Sequence, residues 1–307
     1  MIFKRFRWLV LFAFLLCNLI VFNHAYKFTH FSENGKRIRP ENLDAMEKLD
    51  ILFFGIENPR PENDKVPNQE YETVALQSKE LLEGWLVENE KQKGIVILFH
   101  GYSASKSGCL AYAEEFYQMG FSTLLVDFQG SGGSTGNNTT VGFEESKDVK
   151  VAFEYIQHRL PNVQIILFGS SMGAASILKA IDDFDIGPDK IILECPFGTM
   201  KATMQKRFQA MGIPSFPAAE ILLLYGGAIN GFNAFKHNPV DYAKAVKIPT
   251  LLLHGENDKR VLVPEVREIF ENLNGPKELI ILSDCGHEVY LECNPEKWSS
   301  AVRSFLK

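Results

Sequence analysis

Ser171 lies at the centre of Gly169-Ser170-Ser171-Met172-Gly173, and the apolar run Ile165-Ile166-Leu167-Phe168 feeds straight into it. A helix-forming segment follows at once. This spacing predicts a tight strand-to-helix turn that lifts a serine hydroxyl clear of a sheet. Side chains at 169 or 173 would collide with neighbouring backbone, and the turn strains the residue between them. Ser171 is therefore the candidate nucleophile, and Ser170 should point elsewhere. A serine attacks only when a base takes its proton. Two later strand-like runs offer the partners. Thr250-Leu251-Leu252-Leu253-His254-Gly255 is closed by Glu256-Asn257-Asp258, and Leu279-Ile280-Ile281-Leu282 is followed by Cys285-Gly286-His287. The expected relay has His287 taking the proton through one ring nitrogen while Asp258 holds the other. The developing oxyanion needs two donors already aimed at it. The expected pair is the backbone N–H of Met172 and that of Tyr102, which follows His100-Gly101 at the end of Gly94 to Phe99.

Duller roles compete for each residue. His287 could be a surface-loop histidine. His100 and His254 also lie at strand ends, where structural hydrogen bonds are expected of them. Asp258 competes with Glu256 and with Glu194, which ends the strand after the elbow helix. Asp258 and His287 each fall just past the C-terminal end of a strand, where open α/β sheets place their sites.

The elements that must position these groups can be read in order. Tyr71 to Leu76 and Leu81 to Val87 alternate as antiparallel strands. Gly94 to Phe99, Phe121 to Asp127, Val163 to Phe168, Lys190 to Glu194, Thr250 to His254 and Glu278 to Leu282 are expected parallel strands, several of them unbroken apolar runs. Helical segments alternate with them: Gly108 to Met119, Phe143 to Arg159, Met172 to Ile181, Pro264 to Leu273 and Glu296 to Leu306. The alternation is that of an α/β protein. Residues 197–247 break it. Short helices are expected there over Met200 to Met211 and Ala218 to Ala228, and Phe208, Met211, Phe216, Leu222, Leu223, Leu224 and Tyr225 would either line an acyl pocket or simply pack. Residues 30–67 read as a polar connector with a short helix around Glu41 to Phe54.

The N-terminus is unlike the rest. Lys4, Arg5 and Arg7 precede an apolar run from Trp8 to Phe22, broken only by Asn18, and no further charge appears before Lys27. Residues 1–29 therefore read as an uncleaved signal anchor, with the basic end in the cytoplasm and the folded part on the far side. Removal as a signal peptide, giving a secreted protein, is the alternative. The net charge of −6 argues against nucleic acid, which needs basic patches. Of five cysteines, Cys17 falls in the anchor. Cys285 and Cys293 flank the His287 loop and could be bridged, although four buried, unpaired thiols (Cys109, Cys195, Cys285, Cys293) is the reading favoured. Their spacing does not suggest a zinc site, and the chemistry calls for neither metal nor cofactor.

Taken together, His100-Gly101, Asp127 to Gly133, Gly169 to Gly173, His254-Gly255 with Asp258, and Gly286-His287 resemble the α/β-hydrolase superfamily. The resemblance runs from about Leu82 to Lys307. It is strongest to the serine-hydrolase branch with monoglyceride-lipase-like, serine-aminopeptidase-like and membrane-anchored thioesterase-like members. It implies a mostly parallel sheet flanked by helices over 68–307, with a small helical cap at about 197–247, before the acid-bearing strand. It further implies cleavage of an ester or thioester through an acyl-enzyme on Ser171, with the order Ser171, Asp258, His287. Two alternatives stand beside it. A peptidase of the aminopeptidase-like branch would need a carboxylate in the cap for the substrate amine, with Glu220 and Asp241 as candidates. A non-catalytic binding protein would keep the fold without the chemistry. One departure is Gln129, where the family's loop carries arginine; Asp127 in the same loop is expected to be structural.

Overall fold

The structure is a computed structural model of the chain. It describes residues 2–33, 45–210, 212 and 214–307. The chain begins with α1 (Ile2–Thr29), β1 (Phe31–Ser32), α2 (Ala45–Phe54) and β2 (Asn58–Pro59). The part of the expected connector helix before residue 45 lies outside the described residues. Then follow β3 (Glu72–Gln77), β4 (Leu81–Val87), β5 (Ile95–Phe99), α3 (Leu110–Gln118), β6 (Ser122–Val126), α4 (Glu145–Arg159), β7 (Ile165–Ser170), α5 (Met172–Phe184) and β8 (Lys190–Glu194). Two further helices, α6 (Met200–Ala210) and α7 (Ala218–Asn230), precede the short α8 (Pro239–Tyr242). The chain closes with β9 (Thr250–Gly255), α9 (Val263–Asn272), β10 (Lys277–Leu282), α10 (Tyr290–Cys293) and α11 (Pro295–Leu306).

The chain divides into two compact units. One joins residues 1–59 to 200–237, and the other joins 60–199 to 238–307. The larger unit holds an eight-stranded sheet of order β10-β9-β8-β7-β5-β6-β4-β3. β3–β4 and β4–β6 are antiparallel, and every other pairing is parallel. β5, β6 and β9 are buried along their whole length, which explains why Ile95–Phe99 reads as a continuous apolar run. On one face an aromatic cluster forms: Tyr112 lies 4.6 Å from Phe168 and 5.4 Å from Trp298, centroid to centroid. β5 pairs with β6 on one side and β7 on the other. The strand order therefore reverses beside β5, and such a switch point opens a crevice at the strands' C-terminal ends.

Asp127 is the structural residue the sequence suggests. Its buried carboxylate accepts from the Lys106 backbone N–H (2.7 Å), Lys106 Nζ (2.5 Å), Asn63 Nδ2 (2.8 Å) and the Gly133 N–H (2.9 Å). This ties the loop after β5 to the loop after β6. Gln129 is buried, and its backbone N–H donates to Asp148 Oδ2 at 3.2 Å. The guanidinium in this region is supplied by Arg60, which donates to the carbonyls of Gly132, Ser134 and Gly136.

In the smaller unit, α1 is long and apolar enough to cross a membrane, with 6% of its apolar window buried. Its Asn18 Oδ1 accepts from Tyr225 Oη on α7 at 2.7 Å, and Phe22 meets the Tyr225 ring edge-on. Phe208 and Leu222 line a small cavity with Phe28 and Ile51, over which Arg207 stacks on Phe28. Of the apolar residues expected to form a pocket, Phe208, Leu222 and Leu223 are buried and Tyr225 is held by α1. Phe216 and Leu224 are left exposed. Met211 lies outside the described residues.

Removing a buried partner strands the other charge, at a typical cost of about 3–5 kcal/mol. Asp127→Ala, which leaves the buried Lys106 with only the partly exposed Glu83 carboxylate as counter-charge, should lower the unfolding free energy of the detergent-solubilised chain by at most about that much. Urea denaturation followed by Trp fluorescence measures it.

Candidate active site

The elbow is built by close packing. A Cβ at Gly169 would lie 2.6 Å from the Gly173 carbonyl carbon, and one at Gly173 would lie 2.3 Å from the Phe99 carbonyl oxygen. Neither position admits a side chain, so α5 starts hard against the end of β5. Ser171, between them, has φ 52° and ψ −109°, backbone that an L-residue adopts only under constraint. Its N–H donates to Glu194 O at 2.8 Å, pinning the turn to the end of β8.

The loop after β5 lies alongside. A Cβ on Gly101 would stand 3.6 Å from the Ser171 Cβ. His100 braces this loop. The Phe128 N–H donates to its Nε2 at 3.1 Å, so Nδ1 carries the proton and donates to Gly101 O at 2.8 Å. Burial lowers its pKa further and keeps it neutral. Tyr102 follows directly in this loop, and Met172 is the first residue of α5. Both expected oxyanion donors thus belong to backbone that meets at Ser171. His254 is buried at the end of β9.

Asp258 and His287 meet. His287 Nδ1 lies 2.7 Å from Asp258 Oδ2. The other carboxylate oxygen, Oδ1, accepts from the N–H groups of Arg260 (2.7 Å) and Val261 (3.0 Å). Burial alone would raise the Asp258 pKa, but the imidazole and these two N–H groups hold it below the ordinary carboxylate range. Burial alone would lower that of His287. The facing Cys195 sulfur and the Asp258 carboxylate reverse this and raise it. The rivals for the acid are placed elsewhere. Glu256 is exposed. Glu194 points away into the core, accepting from Tyr112 Oη at 2.6 Å and Trp298 Nε1 at 2.5 Å, where burial pushes its pKa up to about 7.

Among the described residues no hydrogen bond joins the Ser171 hydroxyl to His287. Ser171 is bonded to Glu194, and the next residue, Cys195, has its sulfur within 4.8 Å of a His287 ring nitrogen. Nucleophile–base bonds are commonly loose before substrate binds.

The loop carrying His287 is fastened twice. Cys285 and Cys293 form a disulfide across it, which corrects the expectation of unpaired thiols; Cys109 and Cys195 are the buried free ones. Tyr290 sits inside the bridged loop. Its hydroxyl accepts from Gly255 N–H at 2.8 Å, and its own N–H donates to Tyr112 Oη at 3.2 Å. Sequence reasoning missed the parts played by Cys195 and Tyr290. Cys195 was within reach of the rule that singled out Asp258, since it also follows a strand's C-terminal end. Tyr290 carries no local signal.

Residues 90–224 match the family described as Serine aminopeptidase, S33. The Bacillus subtilis protein YqkD is 25% identical over 228 residues, covering 73% of this chain and 75% of its own. The human protein ABHD12B is also 25% identical over 228 residues, covering 69% of this chain and 60% of its own. Among solved structures, the esterase Pf2001 of Pyrococcus furiosus superposes with a TM-score of 0.68 at 26% identity, over 81% of this chain and 96% of that one. The chain has the α/β-hydrolase fold, and the family match and the esterase neighbour support a hydrolase.

A short closed loop such as the one between Cys285 and Cys293, eight residues apart, is worth about 2.5 kcal/mol in chain entropy. The double substitution Cys285→Ser with Cys293→Ser should lower stability by about that amount, read from urea denaturation as a lower unfolding free energy.

Proposed function

We propose that the chain is a membrane-tethered serine hydrolase that cleaves carboxylic esters or thioesters through an acyl-enzyme on Ser171. The observation that carries this reading is the 2.7 Å pair of His287 Nδ1 with Asp258 Oδ2, taken together with the strained backbone of Ser171 at the turn between β7 and α5. In the proposed cycle, His287 accepts the Ser171 proton as the hydroxyl oxygen attacks the acyl carbon. Asp258 keeps the imidazole in the required tautomer and steadies the imidazolium. The backbone N–H groups of Met172 and Tyr102 receive the oxyanion. The proton passes from His287 to the leaving alcohol or thiol, and water, activated by the same histidine, then frees the acid.

The peptidase reading has less support. Glu220 Oε1 is already held by Gln205 Nε2 (3.2 Å) and Lys201 Nζ (3.4 Å), and Asp241 is paired with Lys244 at 2.7 Å on an exposed surface. Neither is poised for a substrate amine. For the compartment, two features favour the non-cytoplasmic side: basic residues Lys4, Arg5 and Arg7 at the head of an apolar helix, and a disulfide beside the site.

The purified chain should hydrolyse p-nitrophenyl esters well and aminoacyl anilides poorly; the reverse preference would support the peptidase. Asp258→Asn should cut kcat by about 10⁴-fold, by presenting the wrong tautomer. Because only neutral imidazole can accept a proton, kcat/KM should rise with pH through the His287 pKa. That acid limb should lie above the ordinary histidine value of 6.5 in the wild type and fall when Asp258 is neutralised.

A further inference from the structure

Three strand ends deliver three different donors to one place. Cys195 follows β8, Asp258 follows β9 and His287 lies beyond β10. One ligand atom from each, the Cys195 sulfur, an Asp258 carboxylate oxygen and a His287 ring nitrogen, lies within 4.8 Å of the other two. Cys195 and Asp258 are buried, and the His287 side chain retains 17% exposure, which leaves a path from solvent. The Cys195 thiol is not spent in a disulfide. Sulfur, imidazole nitrogen and carboxylate oxygen are the donor types that zinc takes. Thiolate with imidazole also selects for soft divalent metals over magnesium or calcium.

We infer that Cys195, Asp258 and His287 form an inhibitory site for a soft divalent cation of the zinc type. The proposal rests on the assignment of His287 as the proton acceptor. Binding displaces the thiol proton to solvent and forms a metal–sulfur bond. It also forms a metal–nitrogen bond with the one lone pair that a neutral imidazole possesses. Whichever ring nitrogen is taken, no lone pair then remains to accept the Ser171 proton, and hydrolysis stops. No redox step is involved, and a chelator restores the free site. The Cys285, Glu288 and Cys293 group close by is no competitor, because both its sulfurs are locked in the disulfide.

The test uses the full chain in detergent with its disulfide intact, in a Cys17→Ser background that removes the exposed thiol. Cadmium is the spectroscopic probe. One equivalent should produce the ultraviolet thiolate-to-cadmium charge-transfer band, and Cys195→Ala should abolish it; Cys195→Ser repeats the test should the alanine variant fail to fold. In parallel, Zn²⁺ should inhibit p-nitrophenyl ester hydrolysis, reversibly with EDTA, and more weakly as pH falls because the thiol proton competes. Each variant is compared with its own metal-free rate, and loss of the sulfur ligand should raise the inhibitory midpoint by at least about tenfold. A band that survives in Cys195→Ala, no band in the Cys17→Ser chain, or a midpoint that the substitution leaves unchanged would overturn the site. If the band appears as expected in a chain that hydrolyses no ester, the metal site stands and the hydrolase reading fails.

Discussion

At the junction of β5 and β7, the Phe99 carbonyl oxygen would lie 2.3 Å from any Cβ at position 173. Only glycine lets α5 begin so close to the sheet. That closeness brings together the two backbone segments, 100–102 and 171–172, on which the proposed oxyanion site depends. It also forces Ser171 into positive φ, so its hydroxyl is presented at a turn and not spent in helix or strand. The strain is held by bonds on both sides: Ser171 N–H to Glu194 O, and the His100 ring between Gly101 O and Phe128 N–H. Asp127 and Lys106 then lock the loops behind these contacts with a buried, multiply bonded ion pair.

The partner groups come from loops, which are intrinsically freer than strands, and the structure restrains them by several independent means. Asp258 receives two backbone N–H groups on one oxygen and the imidazole on the other. The His287 loop is closed by a disulfide and stitched to the end of β9 through Tyr290. Restraint matters because a base displaced by even an ångström loses much of its rate advantage. The same concentration of donors around His287 places a thiol near the imidazole, so the group proposed to move protons is also open to the proposed capture by a soft metal.

Much of this was legible in the sequence because it is local. The elbow declares itself through two glycines at fixed spacing, and the buried strands through unbroken apolar runs. The candidates Asp258 and His287 followed from strand ends, and the structure brings that pair together. Gln129 was visible as a departure, but Arg60, which clamps the same loop, was not, since 72 to 76 residues separate it from the carbonyls it holds. The disulfide was left open and disfavoured because cysteine spacing does not determine pairing. Cys195 went unnoticed as a neighbour of His287 because its role exists only once β8, β9 and β10 are laid side by side.

The most direct check is covalent. The wild-type chain, treated with a fluorophosphonate and digested, should carry a single adduct on the peptide containing Ser171, and His287→Ala should slow its formation by orders of magnitude. An adduct on another residue, or labelling of Ser171 at the same rate without the imidazole, would contradict the account.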